Sequence, residues 1–223
     1  MPRTSAPQGR TGRPPVTSRA QILAAARRII DRDGWEKLTI RRLAAEMGIG
    51  ATTLYHHIQD KEDLMVQLLG DHIGRMERPR MPGDPRDRIV VAATAMHDAL
   101  TAWPWAAEVI AADGFVALLG EDAMWMVEEI VAGADARGCT PEQAVDVFRS
   151  IWFYTVGEIL VRARSPYRRA DGTLPEYRTT FDASKVPYLA AIGFDRWAAQ
   201  AARDTYPEGL RTFVDGLLAR AGS

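Results

Sequence analysis

Residues 38–58 read LTIRRLAAEMGIGATTLYHHI, and this stretch decides the fold. Apolar residues recur at helical spacing on both sides of Gly48, which predicts two short helices joined by a tight turn at that glycine. In the second helix, Leu54 and Ile58 lie four positions apart and form a face that we expect to be buried. The other side chains are small, hydroxyl-bearing or aromatic, and a thin ridge of this kind fits the major groove of DNA.

The composition indicates a globular chain without an export or membrane signal. The chain has 223 residues, 47% of them hydrophobic, which is enough for one large or two small domains with a packed core. Cys139 is the single cysteine, so a reducing, cytoplasmic setting is expected. Residues 1–17 lack the apolar stretch of a secretory signal. The longest mainly apolar run, residues 89–96, is far shorter than the roughly 18 residues of a membrane span.

Charge is distributed unevenly along the chain. Residues 1–59 contain ten Lys and Arg against four Asp and Glu, a net charge of +6, and the remainder has eighteen against twenty-five, or −7. A basic N-terminal quarter on an acidic body indicates a polyanion-binding region. Arg3, Arg10 and Arg13 either form an arm that reaches the minor groove or belong to a flexible tail with only non-specific attraction, and we favour the tail.

Helical periodicity extends along nearly the whole sequence without a convincing strand pattern, which predicts an all-α fold. Capping residues mark the predicted helix starts at Ser18 with Gln21, Thr39, Asp60, Asp84 before Pro85, and Thr140 with Gln143. Helices are predicted at 18–33, 39–47, 51–57, from 60, 85–103, from 105, 121–137, 140–164, 185–203 and 207–220, with an irregular loop at 165–184. Residues 79–84, rich in proline and glycine, are the predicted domain boundary.

The N-terminal pattern resembles the TetR family of bacterial transcriptional regulators. The resemblance rests on Leu38 to Leu64, with these residues in register: Thr39, Leu43-Ala44, Gly48, Thr53-Leu54-Tyr55, His57 and Lys61. The C-terminal part is more weakly similar to the tetracycline-repressor branch through Tyr154-Thr155-Val156-Gly157 and Pro207-Glu208-Gly209-Leu210. The resemblance implies an all-helical homodimer that binds double-stranded operator DNA and releases it when a small molecule enters the C-terminal domain.

These implications divide the chain into three parts. Residues 1–17 are a flexible basic arm, and residues 18–78 are a helix-turn-helix DNA-binding domain of three helices with a connecting fourth helix. Residues 79–223 are a larger helical domain for ligand binding and dimerisation. No membrane partner is expected.

The resemblance also implies which residues meet DNA. The matching positions are Arg41, Ala51, Thr52, Thr53, Tyr55, His56, His57 and Lys61. Their chemistry agrees, because threonine and tyrosine can bond base edges or phosphates and cationic groups near helix N-termini attract phosphate. The alternative is a solvated helical hairpin in an ordinary bundle. His56 and His57 project about 100° apart, so they cannot chelate one ion together, and no metal site is predicted.

Large aromatic and flexible apolar residues in the C-terminal part suit a cavity for a bulky ligand. The candidate lining residues are Met96, His97, Leu100, Trp103, Trp125, Phe148, Trp152, Phe153 and Glu158. His97 and Glu158 could orient the polar end of a ligand. The alternative is ordinary core packing, with these two polar residues hydrogen-bonded or partly exposed. The resemblance implies a metal-binding histidine where this chain has Phe153, so we expect a metal-free organic effector and no cofactor.

The last predicted helix carries an apolar stripe that is broader than a lone terminal helix needs. The stripe consists of Leu210, Phe213, Val214, Leu217 and Leu218. Paired with helix 140–164, where Gly157 permits close approach of backbones, it could build a four-helix dimer interface. The alternative is packing within one subunit, and the resemblance favours the dimer.

The sequence contains no GxSxG, no nucleotide-binding glycine loop and no HExxH, so an enzyme is not expected. We therefore predict a ligand-responsive repressor that binds a palindromic operator as a homodimer and is released by a small organic effector. Two alternatives remain open. One is a helical small-molecule-binding protein or enzyme without DNA binding, and the other is an activator with the same DNA-binding region.

Overall fold

The computed structural model of the protein describes residues 17–103, 105–107, 120–163, 182–201 and 203–221. Within these ranges the secondary structure consists of α-helices and one short 3-10 helix, without a strand, which confirms the all-α prediction. Residues 1–16 of the predicted arm and 165–181 of the predicted loop lie outside them. The chain divides into two compact units, Met1–Leu64 and Met65–Ser223. The predicted domain limits at 18–78 and 79–223 stay predictions.

The first unit consists of three helices and the start of a fourth. α1 (Arg19–Asp33) precedes a 3-10 turn (Trp35–Lys37), α2 (Ile40–Met47), α3 (Ala51–Leu54) and α4 (Lys61–Gly74), which continues into the second unit. α1 begins with the predicted capping box, in which Ser18 and Gln21 each donate a backbone N–H to the other's side chain. It ends at Gly34, whose φ of 88° is unfavourable for any residue with a Cβ. The core includes the fully buried Ile22, Ile29, Leu38, Leu43 and Leu54.

The turn between α2 and α3 follows the prediction, but α3 is shorter than predicted. Thr39 caps α2 by accepting from Arg42 N at 3.1 Å, and Gly48 adopts a left-handed φ of 66°. The regular helix of α3 ends at Leu54 rather than at His57. The Leu54 carbonyl accepts from both His57 N and Ile58 N, so the last turn tightens and the helical hydrogen-bond pattern stops there.

The second unit contains longer helices. After the rest of α4 come α5 (Pro85–Thr101), α6 (Glu121–Asp135), α7 (Pro141–Ala163), α8 (Pro187–Ile192), α9 (Phe194–Ala201) and α10 (Tyr206–Ala221). Residues 105–107 are also helical, as predicted. α5 packs against α6, α7 and α10, and Ile89, Ala93, Ile130, Ile151 and Leu210 are fully buried in this core.

In the second unit, the predicted helix starts agree with the structure better than the predicted helix ends do. Asp84 caps α5 by accepting from Asp87 N at 3.1 Å. The same helix ends at Thr101, before the predicted stop at Pro104. The single helix predicted at 185–203 is wrong, because Gly193, with a φ of 75°, separates α8 from α9. A residue in this conformation leaves the right-handed helical backbone, so the two helices are not one continuous helix.

Candidate nucleic-acid interface and effector site

The chain at α3 carries an exposed polar ridge on a buried base. Leu54 and Ile58 are 0% and 2% exposed, so they fix this segment to the core of the first unit. Tyr55 is 56% exposed, and Thr52 and His56 are exposed as well. These three residues, the α3 ridge, therefore face solvent, which is the orientation that reading DNA requires.

The other predicted DNA contacts surround the α3 ridge with different exposures. Arg41 on α2 is exposed, and Ala51, Thr53, His57 and Lys61 are half-buried. None of the eight predicted residues is buried, so solvent reaches each of them. Which of the eight contact DNA stays a prediction.

Arginine–carboxylate contacts fix α2 against α1. Arg42 Nη2 lies 2.6 Å from Asp33 Oδ2, and Arg32 Nε lies 2.8 Å from the same oxygen. Arg32 also contacts Glu46 at 3.1 Å. Exposed ion pairs contribute little singly, but a network with shared partners holds its members in one geometry. Sequence reasoning missed this network because its members lie on different helices and follow no common spacing.

At the start of α4, the structure places Lys61 against Trp35. Asp60 caps the helix as predicted, because it accepts from Asp63 N at 2.8 Å. The Lys61 ammonium lies 4.9 Å from the centre of the Trp35 ring and donates to the Trp35 carbonyl at 3.4 Å. The sequence predicts Lys61 as a DNA contact, and the structure adds a neighbour that holds its charged group.

In the second unit, the structure brings together His97 and Glu158, the two polar candidates for a ligand site. His97 Nε2 on α5 lies 3.1 Å from Glu158 Oε2 on α7, and His97 Nδ1 lies 3.1 Å from Asp98 Oδ1. Glu158 also accepts from Arg162, one turn further along α7. His97 is only 9% exposed. Both residues are thus hydrogen-bonded within the chain, as the core-packing alternative requires.

Aromatic rings extend from His97 towards a surface groove. Tyr206 stacks on His97 with ring centres 3.9 Å apart, and Tyr154 stacks on Tyr206 at 5.4 Å. The Tyr206 hydroxyl lies 2.8 Å from Thr155 Oγ1 and donates to the Ala93 carbonyl at 3.3 Å. Burial raises the pKa of Tyr206 well above its usual value. Tyr206 is therefore a neutral, hydrogen-bonded core residue, and its place in the sequence carries no signal of this role.

Most of the predicted lining residues lie in the interior of the second unit. Met96, Leu100, Phe148 and Trp152 are buried, and Trp103 and Trp125 are half-buried. Trp103 stacks on His72 of α4 with ring centres 4.4 Å apart, and Trp125 lies 5.5 Å from the Arg78 guanidinium. Sequence reasoning missed His72, because its contact with Trp103 joins α4 to a residue beyond α5, and no local spacing connects the two. Buried aromatic residues suit a core as well as a cavity, so ligand contact stays a prediction.

Phe153 does not line the interior of the second unit, and the prediction that it does is wrong. Its side chain is 58% exposed, with the Arg149 guanidinium 5.3 Å from the ring centre. Phe153 borders a small groove of about 370 Å³, lined by residues of α7 together with Leu217 and Arg220 of α10. This small groove is distinct from a larger one between the same two helices. α7 buries Trp152, and the next residue projects about 100° further around the helix, away from the core.

The apolar stripe of α10 is divided between the core and the surface. Leu210 and Val214 are 0% exposed and Leu218 is 8% exposed, in a helix that packs against α5 and α7 of the same chain. The prediction that these three form a dimer interface is wrong, because they belong to the core of one subunit. Phe213 and Leu217 are half-buried and line an open groove of about 690 Å³, the α7–α10 groove, together with Tyr154, Gly209 and Gly216.

Gly209→Ala is expected to destabilise the wall of the α7–α10 groove. A Cβ at Gly209 would lie 2.2 Å from Tyr154 Oη and 3.3 Å from its Cζ, so the ring must move. Overpacking costs about 1–3 kcal/mol and alanine in a helix regains up to about 1 kcal/mol, so the net loss in free energy of unfolding is expected to be at most about 2 kcal/mol. Tyr154→Phe removes the obstructing oxygen, so the double variant should recover most of the loss in thermal unfolding. If Gly209→Ala lowered the unfolding temperature equally in the wild type and in Tyr154→Phe, the tyrosine hydroxyl would not be the atom that clashes.

Other kinds of site receive no support from the residues that the structure describes. Among them, no group of three or more His, Cys, Asp or Glu side chains is arranged to hold a metal ion. No helix within the same residues has the length and apolar character of a membrane span. Cys139 is buried, and burial raises the pKa of its thiol, which disfavours the reactive thiolate.

The fold and the α3 ridge define a helix-turn-helix transcriptional regulator with a second, larger helical domain. The family description "Bacterial regulatory proteins, tetR family" matches residues 22–68, and "Tetracyclin repressor-like, C-terminal domain" matches residues 79–221. The second match alone covers more than half of the chain. The protein therefore belongs to the TetR family of transcriptional regulators.

Individual relatives agree with this assignment over nearly the whole chain. An HTH-type transcriptional regulator of Saccharopolyspora erythraea is 27% identical over 224 residues, which cover 97% of this chain and 91% of the relative. The HTH-type transcriptional repressor DrrR1 of Streptomyces coeruleorubidus is 27% identical over 220 residues, which cover 92% and 79%. The structure of ActR from Streptomyces coelicolor in complex with actinorhodin has the same fold, with a TM-score of 0.75, 23% identity and coverage of 93% and 98%.

Proposed function

We propose that this protein is a repressor that binds a palindromic operator as a homodimer and releases it when a small organic effector binds. The observation that carries this proposal is the α3 ridge, which the buried Leu54 and Ile58 hold towards solvent. Similarity to a regulator and a repressor of the same family supports the same role here. The proposal includes a cytoplasmic location and control of transcription rather than catalysis.

In the proposed complex, the α3 ridge lies in the major groove. Thr52, Tyr55 and His56 contact base edges or nearby phosphates, while Arg41 and Lys61 contact the backbone and fix the register. A twofold-related subunit would place a second ridge about 34–36 Å away, on the other half of a palindromic site.

The α7–α10 groove is the proposed dimer surface. Phe213 and Leu217 line it, and Leu217 also lines the smaller groove beside Phe153. On α7, Gly157 is exposed and has open space where a Cβ would stand, so a second backbone could approach closely. The proposed interface keeps Phe213 and Leu217 from the predicted stripe and adds Phe153. It leaves out Leu210, Val214 and Leu218, which are buried.

The proposed effector binds in the second unit, where His97 and Glu158 offer hydrogen-bonding groups and α5 carries the apolar Met96 and Leu100. A ligand group that replaces one partner of His97 would have to compensate for the lost hydrogen bond. The effector releases DNA only through its different affinity for the two conformations. A coupling of about 1–3 kcal/mol corresponds to an approximately 5–150-fold change in DNA affinity.

The double variant Thr52→Ala, Tyr55→Ala removes two side chains of the α3 ridge and is expected to weaken operator binding by roughly ten- to a hundredfold, because one good base contact contributes about 1–3 kcal/mol of discrimination between bases. A gel-shift titration with DNA that flanks the protein's own gene measures the change. Asp31→Ala is the matched control, since Asp31 is exposed on α1 and lies outside the ridge.

Salt dependence provides the second arm of this experiment. Each neutralised phosphate contributes a slope of about −0.9 to log affinity against log salt, so wild-type binding should weaken steeply with salt. Unchanged affinity of a folded double variant would remove the α3 ridge as the reader of DNA. An operator affinity that does not change with salt concentration would contradict the proposed phosphate contacts.

A further inference from the structure

Trp35 lies beside a residue that we expect to contact DNA, although it is itself no part of the helix-turn-helix motif. It begins the 3-10 turn between α1 and α2 and is half-buried. Lys61 begins α4, 26 residues further along the chain. Nothing in the local sequence connects these two residues, and only the fold of the first unit brings them together.

Two different parts of Trp35 hold the Lys61 side chain. The ammonium lies 4.9 Å from the centre of the indole ring, within the range of a cation–π contact, and it donates to the Trp35 carbonyl at 3.4 Å. The carbonyl belongs to the backbone, so this acceptor is present whatever side chain occupies position 35. The ring contact depends on the indole, so substitution of Trp35 tests the ring alone.

The turn that carries Trp35 is fixed at both ends. Leu38 N donates to the Trp35 carbonyl at 3.1 Å, and Leu38 itself is fully buried. On the other side, Gly34 N donates to the Ile30 carbonyl at 2.9 Å and ends α1. The indole is therefore attached to backbone that the core of the first unit holds in place.

We propose that Trp35 is a positioning residue for DNA binding, whose ring holds the Lys61 ammonium where a phosphate of the operator will meet it. A lysine side chain is flexible, and ordering it in advance reduces the conformational freedom lost on binding. An ammonium has three donors, and only one is used by the Trp35 carbonyl, so two stay available for phosphate oxygens. This inference rests on the proposed function.

The experiment is a double-mutant cycle on the full-length protein, with a fluorescent duplex of the DNA upstream of its own gene as the probe. Trp35→Leu removes the ring, Trp35→Phe keeps an aromatic ring that attracts a cation less strongly, and Lys61→Met removes the charge. For each bound subunit, Trp35→Leu is expected to weaken binding by about two- to fivefold, and Trp35→Phe by less. In the Lys61→Met background, Trp35→Leu should have no further effect.

The salt slope separates positioning from packing. Lys61→Met should reduce the magnitude of the slope by about 0.9 for each subunit that loses a phosphate contact. An equal loss from Trp35→Leu with and without Lys61 would show that the ring only supports the fold, and no loss at all would also overturn the inference. If Trp35→Leu does not fold, Trp35→Phe undergoes the same cycle with a smaller expected loss. Failure of the wild type to bind any duplex would contradict the proposed function instead.

Discussion

The double variant Phe213→Glu, Leu217→Glu is expected to be monomeric and to lose tight operator binding. Both side chains line the α7–α10 groove, so two glutamates would bring like charges from each subunit into the proposed interface. A dimer engages two half-sites at once, and linked binding of this kind exceeds single-site affinity by about 10²–10⁴-fold. Sedimentation measures the mass, and titration of the same operator duplex measures the affinity.

The matched control for this variant is Met124→Glu on α6. Met124 is an apolar residue with 36% exposure and lines neither groove, so its replacement should leave the dimer and its DNA affinity intact. Leu210 and Val214 are left unchanged because they pack inside the chain. A folded Phe213→Glu, Leu217→Glu protein that is still dimeric would remove the α7–α10 groove as the interface.

The division of the α10 stripe shows what hydrophobic periodicity can and cannot predict. The spacing correctly places Leu210, Phe213, Val214, Leu217 and Leu218 on one apolar side of a helix. It cannot tell which neighbour each residue will contact, because a subunit core and a dimer interface require the same residue types. The structure separates them by burial: three residues are inside, and Phe213 and Leu217 line a groove.

The first unit is predictable from sequence because its signals are local. The caps at Ser18, Thr39 and Asp60 and the turn at Gly48 each act within a few residues, and all four are confirmed. The early end of α3 is not predictable from such signals, because it depends on how the Leu54 carbonyl is shared in the folded chain.

The candidate sites are less predictable, because long-range pairing decides them. His97 and Glu158 lie 61 residues apart, and each stands out in the sequence as a polar residue in an apolar pattern, but only the fold shows that they bond to each other. Phe153 is wrongly predicted because an aromatic residue on a long helix resembles a core residue whichever way it faces. Trp35 and Lys61 likewise require tertiary structure to be connected.

Gly133→Ala is expected to lower the free energy of unfolding by about 1–3 kcal/mol, because a side chain at this glycine would collide with the facing helix α5. A Cβ there would lie 2.6 Å from Ile89 Cγ1 and 2.8 Å from the Pro85 carbonyl oxygen. The carbonyl is backbone at the start of α5 and cannot rotate away, so α5 and α6 must separate. The predicted loss is a net value, since alanine within a helix is otherwise about 1 kcal/mol better than glycine.

Gly70→Ala is the matched control, because Gly70 is also within a helix but, apart from its chain neighbours and the backbone of its own helix, no heavy atom lies within 4 Å of the position that a Cβ would occupy. Gly70→Ala should therefore raise the free energy of unfolding by up to about 1 kcal/mol. Thermal unfolding resolves the contrast, since each kcal/mol shifts the midpoint by about 2–4 °C in a chain of this size. If Gly133→Ala were as stable as Gly70→Ala, α5 and α6 would not be packed this closely in solution. The burial of His97 on α5, and with it the proposed effector site, would then need a different explanation.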